Sequence, residues 1–196
     1  MSSHGLIHQY LGELKNEINR LPVEQIEAIV TVLQKAREEG RRIFLMGNGG
    51  RAATASHFAS DLNKGANASG QRRFKAMAFT DNIPVMTAWG NDSAYADIFK
   101  EQVENHVEPG DIVVGISGSG KSPNVVTAME LAKKKGAYTI ALTGMGGGRV
   151  KDIADLCLIV PSDSMERIED VHLAFLCSRV SRPGHLASIL YYLTLF

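Results

Sequence analysis

Two cysteines, no net charge and no long apolar run are the first things this 196-residue chain does not offer in quantity. Cys157 falls in an apolar strand-like stretch and Cys177 in a helix-like one, so they make no disulfide framework and point to a reducing compartment. Lysine plus arginine equals aspartate plus glutamate at 21 each, which leaves no global field to attract nucleic acid or an anionic membrane surface. No apolar run nears the roughly 20 residues that span a bilayer. Met1-Ser2-Ser3-His4-Gly5 lacks the basic-then-apolar layout of a signal peptide. Internal repeats and low-complexity segments are missing as well. The expectation is a cytoplasmic globular protein with no nucleic-acid and no membrane partner. Its length suits a single domain, residues 1–196, with room for a sizeable core.

What is present is an alternation of helical and strand patterns. Leu6, Ile7, Tyr10, Leu11, Leu14, Ile18 and Leu21 recur at helical spacing. Pro22 opens a second helix with Ile26, Ile29, Val30 and Leu33 on one face and Gly40 as its stop signal. These two helices, residues 1–40, exceed what a sheet needs, and their surplus apolar surface suits either subunit packing or an intramolecular role. From residue 41 onward the pattern is that of an α/β core. Strands are predicted at Ile43–Met46, Phe74–Phe79, Ile112–Ile116, Tyr138–Leu142 and Leu156–Val160. Helices are predicted at Arg51–Asn63, Asp81–Gly90, Ala94–Val107, Pro123–Lys135 and Met165–Val180, with a further one in the tail, Ser181–Phe196. Such alternation indicates a parallel sheet covered on both faces, a three-layer α/β/α architecture. Ligands of such sheets bind beyond the carboxyl ends of the strands. The loops Gly47–Gly50 and Ser117–Ser122, with Asp81-Asn82 and Asn91-Asp92, all fall there.

The most informative loop is Ser117-Gly118-Ser119-Gly120-Lys121-Ser122, between a buried strand and a helix opened by Pro123. Proline suits the first helical position because its missing N–H would be unpaired there anyway. The loop therefore meets the free N–H groups and partial positive charge of a helix N-terminus. Three hydroxyls, two glycines and a lysine complete an environment for phosphate. Gly115 to Ser122 also spells the nucleotide-triphosphate pattern G-x-x-x-x-G-K-S. No carboxylate closes a later strand to hold magnesium, which weighs against a kinase. A plain helix-capping loop is the remaining alternative.

With these loops in view, the chain resembles the sugar isomerase (SIS) family and, within it, the phosphoheptose isomerases. The matching stretches are Gly47-Asn48-Gly49-Gly50, His57-Phe58-Ala59-Ser60-Asp61-Leu62, Gly90-Asn91-Asp92, Gly115 to Ser122, and Arg167-Ile168-Glu169-Asp170-Val171-His172. The resemblance implies a flavodoxin-like five-stranded parallel sheet between helices, a homotetramer with sites at subunit contacts, and isomerisation of sedoheptulose 7-phosphate to D-glycero-D-manno-heptose 7-phosphate. It implies that Ser117, Gly118, Ser119 and Ser122 hold the phosphate, and that Asn48, Gly49, Gly50, Asn91 and Asp92 position the sugar. Three departures mark this pocket: Gly118 stands where the family has threonine, Lys121 where it usually has asparagine, and Arg51 where it has serine, so Arg51 either clamps an anion or fills space.

The same resemblance implies the chemistry. The family's acid–base pair is a glutamate and a histidine, which with a second histidine and a glutamine bind zinc. The four positions here are His57, Asp61, Glu169 and Cys177, each able to bind zinc. Asp61 is the implied base, Glu169 a ligand or second carboxylate, and Cys177 or His172 the complementary acid–base group. His57 and Asp61, four apart, share a helix face. Glu169 and Cys177, eight apart, lie about 12 Å apart along a regular helix and meet at one ion only if the helix starts after Glu169 or subunits share the site. A related reading is an SIS module that binds a phosphosugar or a protein partner without turnover.

Overall fold

A computed structural model of the protein describes residues 2–67 and 69–177, the last two by their place in a helix alone. Helices α1 (Ser3–Asn19) and α2 (Val23–Glu39) precede strand β1 (Arg42–Gly47), followed by α3 (Gly50–Ser60) and β2 (Lys75–Ala78). Then come α4 (Ile83–Asp92), α5 (Lys100–His106), β3 (Ile112–Ser117), α6 (Pro123–Lys134), β4 (Tyr138–Thr143), α7 (Val150–Ile153), β5 (Leu156–Ile159) and α8 (Met165–Cys177). The five strands pair in parallel throughout, in the order β2-β1-β3-β4-β5. That is the flavodoxin-like order, and the fold is the α/β three-layer class expected. The expected tail helix, Ser181–Phe196, lies outside the described residues.

Strand alternation sorts the core into two layers. Ile43 and Leu45 of β1, with Ile112, Val114 and Ile116 of β3, face α2, α3 and α8. Phe44, Met46 and Val113 face α5, α6 and α7. Gly115 is what lets α6 come close: a Cβ there would lie 2.9 Å from the sulfur of Met129. Helix α2 is thus part of the fold itself, with Ile26, Ile29, Val30 and Leu33 buried and Gly40 closing it at φ 72°. Helix α1 lies along α8, tied by Arg167 to Glu13 and Glu17 at 2.6 and 2.7 Å and by the Tyr10 hydroxyl to Asp170 at 2.6 Å. Its Leu6, Ile7 and Leu11 stay more than half exposed. Among the described residues no helix is long and apolar enough to cross a membrane.

Three expected elements change shape around the site. The helix after β1 is α-helical only to Ser60 and widens into a π-turn, Asp61–Gly65, closed by Ala66 N–H on the Asp61 carbonyl at 2.9 Å. The helix expected at Asp81 starts two residues later, because Asn82 caps it by accepting from Val85 N–H at 3.3 Å. The helix expected over 94–107 breaks into a 3-10 turn, Tyr95–Asp97, and α5.

Candidate active site

Because all five strands point the same way, their carboxyl ends share one edge of the sheet, and the serine turn sits there between β3 and α6. Ser122 occupies the N-cap of α6 but does not cap it; its hydroxyl meets that of Ser117 at 3.0 Å. Ser119 Oγ accepts from Lys121 N–H at 3.3 Å, which curls the turn. The glycine-rich segment 144–148 clasps the turn from the β4 side, with Gly144 N–H on the Gly118 carbonyl at 2.9 Å and Val150 N–H on the Gly120 carbonyl at 3.0 Å. Gly120 has φ 65°, and a Cβ there would overlap the Gly147 carbonyl. The turn is thereby rigid, with hydroxyls and a helix N-terminus converging on one small volume.

The β1 loop adds a second wall. Gly49, at φ 58°, turns the chain into α3. Asn48 does not stand free to meet a sugar: its amide exchanges two hydrogen bonds with that of Asn124, at 2.9 and 2.8 Å, and its Oδ1 also accepts from the Tyr95 hydroxyl at 3.1 Å. Asn124 is fully buried, so this amide pair bolts the β1 loop to the start of α6. Asn91 and Asp92, in the last turn of α4, are exposed and bonded to each other at 2.7 Å. Arg51, in the first turn of α3, donates from Nη1 to Glu169 Oε1 of α8 at 2.7 Å. Its guanidinium fills the space beside Gly118, where a Cβ would overlap Nη2. The carboxylate of Glu169 in turn sits against Gly50, where a Cβ would lie 2.8 Å from both of its oxygens.

The groups expected to do chemistry are separated. His57 Nε2 and Asp61 Oδ2 are 3.2 Å apart, both partly exposed. His57 and Asp61 lie six and ten residues beyond Arg51, about 9 and 15 Å along the helical rise, so this pair lies towards the far end of α3 from the Arg51–Glu169 contact. Helix α8 begins before Glu169, which leaves Glu169 and Cys177 two turns apart on one helix. The Cys177 side chain lies outside the described residues. Among the described residues no group of three or more His, Cys, Asp or Glu is placed to hold a metal ion. The four expected zinc ligands are not gathered by the described residues of one chain.

His172 is placed against its expected role. Its ring has no exposed surface and its Nε2 is 3.3 Å from the Thr143 carbonyl, under the tip of β4. Burial holds the imidazole neutral, with its pKa pushed down to about 4; the Thr143 hydrogen bond opposes this shift and the charge of Arg51 adds to it. The Nδ1 atom is buried without a partner. As placed, the ring braces the β4 tip and does not face a substrate.

A family model described as SIS domain matches residues 9–144. A phosphoheptose isomerase of Akkermansia muciniphila is 42% identical over 82% of this chain and 84% of its own length. The chain belongs to the SIS family of phosphoheptose isomerases. Solved phosphoheptose isomerases agree: the GmhA structure from Neisseria gonorrhoeae superposes with TM-score 0.82 at 30% identity, covering 89% of this chain and 95% of that one. The structure from Francisella tularensis gives 0.83 at 30% identity over 92% and 99%. Membership sets aside the nucleotide-triphosphate reading of the serine turn. Within this SIS pocket, Asn124 and Tyr95 are participants that sequence reasoning did not single out. Asn124 had a signal, an amide directly after the proline that opens α6; Tyr95 had none, sitting in a stretch that reads as helix.

Proposed function

We propose that this SIS protein interconverts sedoheptulose 7-phosphate and D-glycero-D-manno-heptose 7-phosphate. The observation that carries the proposal is the serine turn, Arg51 and the Asn48 loop meeting at one sheet edge, with His57 and Asp61 about 9 and 15 Å further along the helical path that starts at Arg51. That separation suits a long sugar held by its phosphate and transformed at its far end. Ser117, Ser119 and Ser122 take the phosphate oxygens, with the α6 N-terminus behind them. Asp61 removes a proton from C1 of the ketose, the resulting enediol is protonated at C2, and the proton on O1 passes to O2. His57 steadies the carboxylate through Oδ2. Cys177 is the candidate complementary acid, since α8 and α3 leave the same sheet edge and eight residues of α8 reach about 12 Å from Glu169, to the depth of the His57 turn.

The enzyme acts in the cytoplasm as a homotetramer in this reading; the exposed Leu6, Ile7 and Leu11 of α1 support a subunit contact. Incubation with sedoheptulose 7-phosphate, followed by nuclear magnetic resonance, should show aldoheptose product. Asp61→Asn should lower turnover at least a hundredfold while phosphosugar binding persists. A wild-type protein that binds the ester yet makes no product, with or without added zinc, would reduce the function to binding.

A further inference from the structure

Arg51 joins three elements: it rises from α3, covers Gly118 of the serine turn and meets Glu169 of α8. Its side chain is only 12% exposed. Nη1 is taken by the Glu169 carboxylate, Nη2 lies over Gly118 and donates to the Met165 sulfur at 2.6 Å and its carbonyl at 3.4 Å, and Nε is buried without a partner. Two glycines make room for this arrangement, Gly118 for the guanidinium and Gly50 for the carboxylate. The arginine of this pair is largely withdrawn from water while its carboxylate is a third exposed, an arrangement that costs desolvation and is weak as a stabilising device. An arginine has five donors in a planar fork, and Nη2 lies beside the turn at Gly118, so an anion there meets it by displacing the weak Met165 acceptors.

We propose that Arg51 is the specificity-determining cation of the phosphate subsite, and that Glu169 is the counter-ion it exchanges for phosphate rather than a metal ligand. The inference rests on the phosphosugar reading above and adds to it a competition: substrate phosphate and the Glu169 carboxylate vie for one guanidinium. Gly118 is part of the same device, since a side chain there and the guanidinium exclude each other.

The test is calorimetric titration of the full chain with sedoheptulose 7-phosphate and, separately, with inorganic phosphate, each variant's fold being checked by circular dichroism. Arg51→Ser weakens binding about 10- to 100-fold, the loss of a charge-assisted hydrogen bond. Arg51→Lys, which keeps the charge without the fork, falls between. Glu169→Gln tightens binding of both ligands several-fold, a direction that a merely structural ion pair would not give. Gly118→Ala costs at least tenfold beside Arg51 and little when combined with Arg51→Ser. Arg51→Ser binding as tightly as wild type, or Glu169→Gln failing to tighten, overturns the inference and leaves the isomerase reading standing. A wild-type chain that binds no phosphosugar removes both.

Discussion

Replacing His172 with glutamine tests the buried imidazole quantitatively. In the folded protein its pKa is pushed down to about 4, whereas an unfolded histidine titrates near 6.5. A depressed histidine stabilises the fold fully above the unfolded value and loses that contribution as pH falls toward the folded value. Between about pH 6.5 and 4 the unfolded chain binds the proton and the native one does not, so stability falls on acidification. The full shift corresponds to about 3 kcal/mol, most of which is lost by pH 4.5. Glutamine can still donate to the Thr143 carbonyl but does not titrate. Urea unfolding of both proteins, at equal protein concentration, at pH 7 and pH 4.5 isolates the term, because acid effects elsewhere in the chain cancel in the difference. The variant, less stable at pH 7 through imperfect packing, should regain about 2 kcal/mol relative to wild type at pH 4.5. A wild-type-to-variant gap unchanged between the two pH values would refute the buried, neutral placement.

Other consequences follow from the clasp and the amide pair. Gly120→Ala, at φ 65° and against the Gly147 carbonyl, should cost more than tenfold in phosphosugar affinity, because the backbone opposite cannot give way; unchanged affinity on titration would mean that the turn is not held as described. Asn124→Ala leaves the Asn48 amide nitrogen without its acceptor and only the Tyr95 hydroxyl on its oxygen, and should destabilise by about 1–3 kcal/mol, read as a lower urea midpoint, with KM rising as the β1 loop loosens. An unchanged midpoint would contradict the bolt between β1 and α6.

The sheet was legible because strands buried on both faces must be apolar along their length, as Ile112–Ile116 is. The serine turn was legible because Pro123 and the hydroxyls around it obey local rules of helix starts. Arg51 stood out as a departure from the family, but its pairing with Glu169 did not, since the two lie 118 positions apart and only the packing of α3 on α8 brings them together. His172 carried a fainter sign: it falls four residues after Ile168 and next to Val171, along the stripe that α8 buries. The π-turn at Asp61 had no sign at all, for nothing in Asp61-Leu62-Asn63-Lys64-Gly65 separates a widened turn from a regular one. The separation of Glu169 from His57 and Asp61 is likewise a property of helix rise and placement, invisible to matching one position at a time.

The most direct measurement is a crystal structure of the Asp61→Asn variant soaked with sedoheptulose 7-phosphate. The account predicts phosphate oxygens on the hydroxyls of Ser117, Ser119 and Ser122 and on Arg51, with the C1–C2 end of the sugar at residue 61. A sugar bound with its phosphate away from the serine turn, or with C1 and C2 remote from residue 61, would contradict it.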